Sequence, residues 1–553
     1  MSLEMLFSMS SLNCIRCLRS GWRSATVLSA GAVLTVLLGQ ADALAQQAMP
    51  EATGATTRFP IKGFQLTGDS PLSESEVARV LSPFVGPDAT LDTLQKATAA
   101  LEAELKAKGF ALLRVSLPPQ DVGEKVTLHL VKFVMGKVAV EGQSRYSEAN
   151  IRASVPELRE GQAPNFRVLS VQTAIANENP GKQLQVSLKE SLEADKIDAR
   201  LLVTESKPLQ FSATLTNAGS ESTGRDRFSL MASHANLFDL DHQLSLAYTT
   251  SLQRVKDVKQ FGLIYRIPLY TQGGVLGLAL TRSDVLGNFG TFSNTGAGRT
   301  LGLSYNHFLE PDGGYRAQLT LGLDEKLFEA SLVNGEPVPG QMERGSRPLT
   351  LGYNARVESD SAVWGYNAEL ALNLPGSRGN DVLSYQSEDI RVGSVNWKIL
   401  RAGANYMAPF ASSWMWSVRG QFQYSADALI SGEQFGLGGA SSVRGTGERS
   451  ISGDSGLFGS LEITSAELMP GLRALGFLDA GWLRNNNSDA NPNKPASDHL
   501  ISVGFGLRYA AGAYGLSLDW ARLLSGSVLP TSSNTTIPQS GDQKIHFNLT
   551  ASF

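Results

Sequence analysis

The chain has 553 residues, with 48 lysines and arginines against 52 aspartates and glutamates, and a formal net charge of −4. That length exceeds one ordinary globular domain and favours two to four domains. The slightly acidic balance argues against a protein that binds nucleic acid through a broad basic surface. The only two cysteines are Cys14 and Cys17, so the rest of the chain must be stable without disulfides of its own.

The first 45 residues have the pattern of an export signal. A segment with three arginines ends at Arg23, the apolar stretch ATVLSAGAVLTVLLG follows at 25–39, and ALA at 43–45 offers small residues for cleavage. A membrane anchor is the alternative, but the apolar stretch is shorter than the ~18 residues that a spanning helix needs. We predict a signal peptide over 1–45 and a short N-terminal linker over 46–56.

Residues 57–206 are predicted to form two copies of one small α+β unit. In the first copy, 57–134, a strand over RFPIKGFQL precedes two helices, and the strands ALLRVSL and KVTLHLVKF follow. The second helix should bury one stripe formed by Leu91, Leu94, Leu101 and Leu105. The same order of one strand, two helices and two strands recurs over 135–206.

From residue 207 to 553 the helical period disappears. Sixteen stretches of about ten residues alternate between apolar and polar side chains, as in tilted strands that cross a bilayer. Short and long connections also alternate, and the long ones are 284–298, 326–346, 374–396, 426–452, 484–498 and 524–542. A soluble β-sandwich would not require this alternation, whereas an outer-membrane barrel does. The predicted fold class is therefore an all-β transmembrane barrel of 16 antiparallel strands preceded by two α+β domains.

One long connection carries an arginine that needs a partner. Arg444 lies in GASSVRGTGE, in the loop 426–452 between strands eleven and twelve. If strand one rises from the periplasmic side, where the exported N-terminal domains lie, this loop is at the outer rim. In LRALGFLDAGWL, 472–483, the apolar positions face lipid, which turns Phe477, Asp479 and Gly481 inward. A carboxylate inside a barrel is costly unless it is paired. We therefore predict that Arg444 pairs with Asp479 and that the loop folds into the lumen, with Gly445 and Gly447 allowing its tight turn.

These motifs resemble those of a known family. EQFGLGGASSVRGTGE, 433–448, is similar to the VRGY-type motif of the outer-membrane assembly protein superfamily, with Val443, Arg444, Gly445 and Thr446 at its positions, and GFLDAGW is similar to its F-x-D-x-G strand motif. The two repeats resemble polypeptide-transport-associated (POTRA) domains. The segment with Leu117, Pro118, Pro119 and Gln120 is similar to the end of the first such domain in two-partner secretion transporters of the hemolysin/hemagglutinin secretion-activation type.

The resemblance spans 57–553 and implies a function. It implies an outer-membrane translocase without enzymatic activity, cofactor or metal, which binds an unfolded secreted partner in the periplasm by its POTRA domains and threads it through the barrel. Phe553 would serve as the C-terminal signal for the barrel-assembly machinery, and outer-membrane lipid would surround the barrel. An assembly factor that inserts other barrels and a passive diffusion porin are the alternative functions.

The sequence departs from the family pattern in three places, and one of them is that the 326–346 and 374–396 loops contain no recognisable motif. Thr446 stands where an aromatic residue is usual, which removes one packing contact in the lumen. The short linker over 46–56 leaves no room for the pore-plugging helix of some relatives, so plugging would fall to the 426–452 loop.

Several other residues have ordinary interpretations. Arg419 repeats the letters SVRG within an alternating strand and is expected to be a plain lumen residue. Ser455 lies in GDSG, which is similar to a serine-protease signature, but no matching histidine or aspartate motif occurs. The six histidines have no metal-ligand spacing. No second carboxylate is expected beside Asp479, so a catalytic acid pair is disfavoured.

Overall fold

The computed structural model describes residues 58–121, 125–220, 223–284, 287–289, 292–294, 297–330, 332–333, 336–411, 413–530 and 537–553. The predicted signal peptide and linker, 1–45 and 46–56, lie outside these residues. The described chain forms two compact units, with the boundary between Phe133 and Val134.

The first unit is a three-stranded sheet with two helices. Parallel pairing joins β2 (Gly63–Thr67) to β5 (Lys125–Lys132), and antiparallel pairing joins β4 (Leu113–Ser116) to β5. A short extra pair, β1 with β3, was not predicted. The elements are β1 (Phe59–Ile61), β2 (Gly63–Thr67), α1 (Glu74–Leu81), a 3-10 turn (Ser82–Phe84), β3 (Gly86–Ala89), α2 (Leu91–Ala107), β4 (Leu113–Ser116) and β5 (Lys125–Lys132).

The buried stripe of α2 differs from the predicted one at its start. Leu94, Leu101 and Leu105 are buried, and Ala97 is buried with them. Leu91 is 59% exposed and is the first residue of the helix.

The second unit begins with an α+β domain of the same topology. Its sheet has the order β6–β8–β7, parallel between β6 and β8 and antiparallel between β7 and β8. The strand order matches β2–β5–β4 of the first unit. The elements are β6 (Val134–Glu141), α3 (Glu148–Ser154), α4 (Phe166–Asn177), β7 (Lys182–Glu190) and β8 (Lys196–Glu205).

A closed antiparallel barrel of sixteen strands follows, and the predicted fold class is confirmed. One strand, β16, is interrupted at Arg347. The strands are β9 (Leu209–Thr216), β10 (Arg227–Leu237), β11 (His242–Ser251), β12 (Lys259–Leu269), β13 (Gly274–Ser283), β14 (Gly298–Phe308), β15 (Tyr315–Phe328), β16 (Arg344–Ser346 and Pro348–Glu358), β17 (Val363–Asn373), β18 (Lys398–Phe410), β19 (Trp414–Tyr424), β20 (Ser455–Thr464), β21 (Leu472–Arg484), β22 (Ser497–Ala511), β23 (Tyr514–Ser525) and β24 (Gln543–Ser552).

The long connections carry their own local structure. One contains helix α5 (Val382–Gln386) and another contains the 3-10 turn Ser488–Ala490, whereas the 3-10 turn Tyr270–Gln272 lies in a short connection. Small hairpins pair Gly287–Phe289 with Phe292–Asn294, Leu332–Val333 with Glu336–Pro337, and Phe435–Leu437 with Ile451–Gly453. Within the described ranges, no helix has the length and apolar character needed to cross a membrane.

Side chains alternate between the two faces of the barrel wall as expected for a barrel in lipid. In β21, Leu478 and Trp482 are exposed, whereas Phe477, Asp479 and Gly481 are buried. An apolar outer surface and a polar, protein-filled interior follow from this alternation, because lipid cannot satisfy polar groups.

Candidate functional site

The loop 426–452 folds back into the barrel and fills part of its lumen. Val443 is completely buried in an apolar cluster with inward side chains of β20, β21, β22 and β23. The wall residues of this cluster are Phe458, Leu483, Leu500 and Leu523, and Leu437 of the loop joins them. The lumen therefore contains a small hydrophobic core that holds the loop on its apolar side.

Arg444 lies next to Val443 and reaches the wall at Asp479. Its Nε donates to Oδ2 at 2.7 Å, its Nη2 donates to Oδ1 at 2.8 Å, and its backbone N–H donates to Oδ2 at 3.2 Å. Arg444 is only 2% exposed and Asp479 is fully buried. This is the forked geometry that suits a guanidinium and a carboxylate.

Two further carboxylates lie at the same guanidinium, which corrects the expectation that none accompanies Asp479. Nη1 of Arg444 is 2.8 Å from Oε1 of Glu462 and 3.7 Å from Oδ2 of Asp519. Asp519 is shared with Arg508, at 2.6 Å. Both carboxylates occupy inward positions of their strands, so the alternation that identified Asp479 could also have identified them. The site is a charge network with one central arginine.

Aromatic and hydroxyl groups complete the contacts of Arg444. Its guanidinium carbon lies 3.3 Å from the ring centroid of Phe477, which is a close stacking arrangement. Ser460 donates its hydroxyl to Oδ1 of Asp479 at 2.6 Å and accepts from Nη2 of Arg444 at 3.3 Å. A Cβ at Gly481 would lie 2.5 Å from the side chain of Leu437, so this glycine leaves room for the loop.

The turn after Arg444 depends on one glycine rather than two. Gly445 has φ of 98°, a left-handed conformation that favours glycine, and its N–H donates to Nε2 of His546 at 3.0 Å. Gly447 is not among the described residues with positive φ, which corrects the second half of the expectation. Thr446 is buried, and its hydroxyl donates to the Val443 carbonyl and accepts from the Gly439 N–H. A hydrogen-bonded turn thus takes the place of aromatic packing.

A second attachment holds the loop nearer the outer rim. Glu433 is buried and accepts from Lys326 at 3.0 Å, from Ser346 at 2.9 Å and from Arg401 at 3.2 Å. These partners come from β15, β16 and β18. The acidic side chain is therefore fixed by three separate strands.

A third attachment joins the end of this loop to the 374–396 loop, for which the sequence offered no motif. Arg391 is buried, binds Asp389 in its own loop, and donates Nη1 to Oδ2 of Asp454 at 2.9 Å. Asp454 also accepts from the N–H groups of Leu429 and Asn486. An apolar cluster beneath this contact contains the fully buried side chains of Tyr385, Val392, Trp397, Ile399, Leu429 and Ile430.

The second α+β domain is joined to the barrel by a buried polar cluster. Nζ of Lys182, at the start of β7, lies 2.5 Å from Oδ2 of Asp241 in the first short turn of the barrel. Ser154, Asn179 and Tyr270 also donate to Asp241. Burial lowers the pKa of Lys182 and the Asp241 charge opposes that effect, while burial raises the pKa of Tyr270. Sequence analysis missed this cluster.

The Leu117–Gln120 segment ends a strand of the first unit. Even-numbered residues of β4 face β5, so residue 118 would pair with Thr127, but Pro118 has no N–H to donate. The side chain of Gln120 takes its place: Nε2 donates to the Thr127 carbonyl at 2.7 Å and Oε1 accepts from its N–H at 2.8 Å. Leu117 is partly buried and Pro119 is exposed.

Phe553 lies at the seam where the barrel closes. Its N–H donates to the Phe211 carbonyl at 2.8 Å, and its own carbonyl accepts from the Phe211 N–H. The side chain is exposed on the outer surface. The structure thus places the C-terminal residue in the last pairing of β24 with β9, away from the lumen network.

Comparison with known proteins identifies the family. The family model described as "Haemolysin secretion/activation protein ShlB/FhaC/HecB" matches residues 195–509, which is more than half of the chain. The chain belongs to this family. The model described as "POTRA domain, ShlB-type" matches residues 59–132. The protein is therefore a two-partner secretion transporter of the bacterial outer membrane, and its POTRA region lies in the periplasm.

Relatives of this ShlB/FhaC/HecB family member agree with that placement. It is 24% identical over 481 residues to the outer membrane transporter CdiB of Escherichia coli, covering 81% of this chain and 78% of that protein. The solved structure of CdiB from Escherichia coli has a TM-score of 0.67 at 19% identity, covering 92% of this chain and 93% of the other. CdiB from Acinetobacter baumannii has a TM-score of 0.66 at 16% identity, covering 100% and 98%. At these identities, the two structures establish a common fold.

Proposed function

We propose that this transporter binds its secreted partner, unfolded, through the two N-terminal α+β domains and passes it through the barrel lumen, with the 426–452 loop as a resident plug. The observation that carries the proposal is the position of Arg444. It is buried inside the barrel and bonded to inward side chains of β20 and β21. The loop occupies part of the lumen at this level, so the proposed route requires the loop to shift during transport.

The contacts of the loop favour a reversible shift. Its apolar cluster is small, and its tip is held by one arginine among three carboxylates. The buried charges are costly to separate unless both partners gain water together, so the proposed shift moves the loop tip into a hydrated part of the lumen, where both partners are solvated. The cycle we propose makes and breaks no covalent bond; folding of the partner outside the cell makes its passage directional.

Deletion of the first domain tests the proposed division of labour. Removing residues 57–134 should leave a barrel that inserts into the outer membrane and changes gel mobility on heating. Release of the partner should be lost because its periplasmic binding site is incomplete. The partner is identified beforehand as the exported protein missing from the culture medium of a strain that lacks this chain. Normal release from the deletion variant would refute the role of the first domain.

A further inference from the structure

Two arginines lie directly opposite each other on the outer face of the barrel wall. Arg282, near the end of β13, and Arg299, near the start of β14, are paired residues of these antiparallel strands. The exposed Leu280 and Leu301 lie two positions away and face lipid, so both arginines point away from the lumen as well. Both arginines are exposed. Side chains opposed in this way have Cβ atoms only about 5 Å apart.

The arginine pair lies at the outer rim of the barrel. Lys182 of the periplasmic second domain binds Asp241 in the turn between β10 and β11, so this turn and every second connection after it are periplasmic. The connection between β13 and β14 is therefore at the outer rim. The outward residues of β14 run from Arg299 through Leu301 to Tyr305, a rise of about 20 Å along the strand. Since the apolar band of such barrels is about 25 Å tall, the pair lies near its outer border.

The two borders of the apolar band differ in chemistry. Near the periplasmic ends of β17, β18 and β19, outward aromatic rings contact one another, with centroids 4.2 Å apart for Trp364 and Tyr406 and 4.9 Å apart for Tyr406 and Trp416. Such a belt suits the headgroup region of a bilayer. Basic residues favour anionic headgroups, and at the outer ends of the strands the exposed outward residues include Lys259, Arg282, Arg299, Lys398, Arg484 and Arg522.

The charge of the arginine pair is not balanced by the neighbouring wall. Among the described residues, no carboxylate forms an ion pair with either arginine, whereas Arg347, at the interruption of β16, lies 2.6 Å from Glu325 of β15. Asp284 is the only charged residue from 284 to 298. Its N–H donates to the carbonyl of Lys259 at 3.2 Å, which places it beside a third cation. Three cations therefore face one carboxylate at this part of the rim.

An anion between the two guanidinium groups would remove their repulsion. Like charges directly opposite each other destabilise a ladder, and guanidinium groups bind phosphate through forked, charge-assisted hydrogen bonds. A phosphate carried by a lipid makes a second contact, because its acyl chains lie against Leu280 and Leu301 below the arginines. Free phosphate has no such contact, so the lipid is the better occupant.

We propose that Arg282 and Arg299 together bind the phosphate group of an anionic lipid in the outer leaflet of the membrane. The bound lipid would neutralise the pair and fix the outer ends of β13 and β14, from which the 284–298 loop extends. The site lies on the outside of the wall. It depends on the outer-membrane location of the barrel and not on the transport route proposed above.

A lipid titration tests the site. The full-length transporter, stripped of lipid in detergent, is titrated with lipopolysaccharide, a phosphorylated lipid of the bacterial outer leaflet, and binding is followed by native mass spectrometry. The variant Arg282→Gln/Arg299→Gln should bind about tenfold more weakly, because two charged donors are lost. Heat-dependent gel mobility verifies that each variant folds.

The matched control removes the same charge from the same rim. Arg484 is paired with Ser497 and Arg522 with Val503, so these two exposed arginines are not opposite each other. The variant Arg484→Gln/Arg522→Gln should keep nearly all of the affinity for lipopolysaccharide. Equal weakening in both double variants would overturn the proposal, because it would show a diffuse effect of rim charge.

Two further ligands identify the group that is bound. Dephosphorylated lipopolysaccharide should bind the unmodified transporter no better than intact lipopolysaccharide binds the Arg282→Gln/Arg299→Gln variant. Inorganic phosphate should displace lipopolysaccharide only at concentrations far above those of the lipid. Undiminished binding of the dephosphorylated lipid, or displacement by an equal concentration of inorganic phosphate, would overturn the assignment to a lipid phosphate.

A charge reversal gives an independent measurement. Arg299→Glu places a carboxylate opposite Arg282 and supplies the missing counter-charge within the wall. In detergent without lipid or phosphate, the temperature at which gel mobility changes should be higher for this variant than for the unmodified chain. Lipopolysaccharide should raise that temperature for the unmodified chain only. A lower temperature for the variant, or an equal rise with lipid in both, would contradict the proposed site.

Discussion

Arg444 and Asp479 are joined by two parallel side-chain hydrogen bonds, of 2.7 and 2.8 Å, although 35 residues separate them along the chain. Because Glu462 and Asp519 lie at the same guanidinium, the two partners are not equivalent. Arginine is the shared cation, and each carboxylate is one of three anions around it.

Arg444→Ala is therefore expected to impair secretion more than Asp479→Ala. The first change leaves Asp479 and Glu462 without their cation in a shielded site, while Asp519 keeps Arg508; the second change leaves Arg444 bound to Glu462. The double variant should resemble Arg444→Ala, with a coupling energy of about 1–3 kcal/mol in a double-mutant cycle.

Release of the partner and resistance of the loop to added protease measure both effects. Arg419→Ala is the control: Arg419 faces the lumen 5.2 Å from the Phe458 ring and should tolerate the change. Strictly additive defects at 444 and 479 would contradict a shared network.

Arg391→Ala should free the 374–396 loop from the end of the 426–452 loop. The change leaves Asp454 buried without its cation, which typically costs about 3–5 kcal/mol locally. We expect more frequent channel openings in planar bilayers and cleavage within 374–396 by external protease. Arg378→Ala on the same loop, where the side chain is mostly exposed in its pair with Glu343, should leave both measurements unchanged.

Lys182→Met should loosen the junction between the second α+β domain and the barrel. Asp241 would stay buried with neutral donors only, so the periplasmic side of the junction should become sensitive to protease while the barrel keeps its heat-dependent mobility. Lys207→Met changes an exposed lysine close to the same junction and serves as the matched control. Equal protease resistance in both variants would show that the ion pair does not hold the domain.

Gln120→Ala should weaken the first unit at one identifiable amide. Loss of the two hydrogen bonds to Thr127 is expected to destabilise the unit by about 1–2 kcal/mol. Hydrogen exchange should accelerate most at the Thr127 N–H, while amides inside α2 change little. Gln65→Ala, an exposed glutamine of β2, provides the comparison.

The barrel could be predicted from the sequence because each strand repeats one local rule, alternation between lipid and lumen. The same alternation predicts that Asp479 faces the lumen, where a carboxylate needs a cation as its partner. Arg391 and Asp454 could not be found in the same way, because they are 63 residues apart and belong to loops without a period. The Lys182–Asp241 contact was missed for a related reason: it links two domains, and no pattern within either one records the orientation of the other.

The small hairpin that pairs Phe435–Leu437 with Ile451–Gly453 closes the neck of the inserted loop. Below the neck the free segment runs from 438 to 450, so its tip hangs from two arms of about six residues each. Such an arm can extend to roughly 20 Å, which is comparable with much of the ~30 Å apolar thickness of a bilayer. Once the ion pairs of Arg444 break, the length of these two arms limits how far the loop tip can move. In the transport cycle proposed above, the loop tip would therefore move within this reach while the wall strands stay paired.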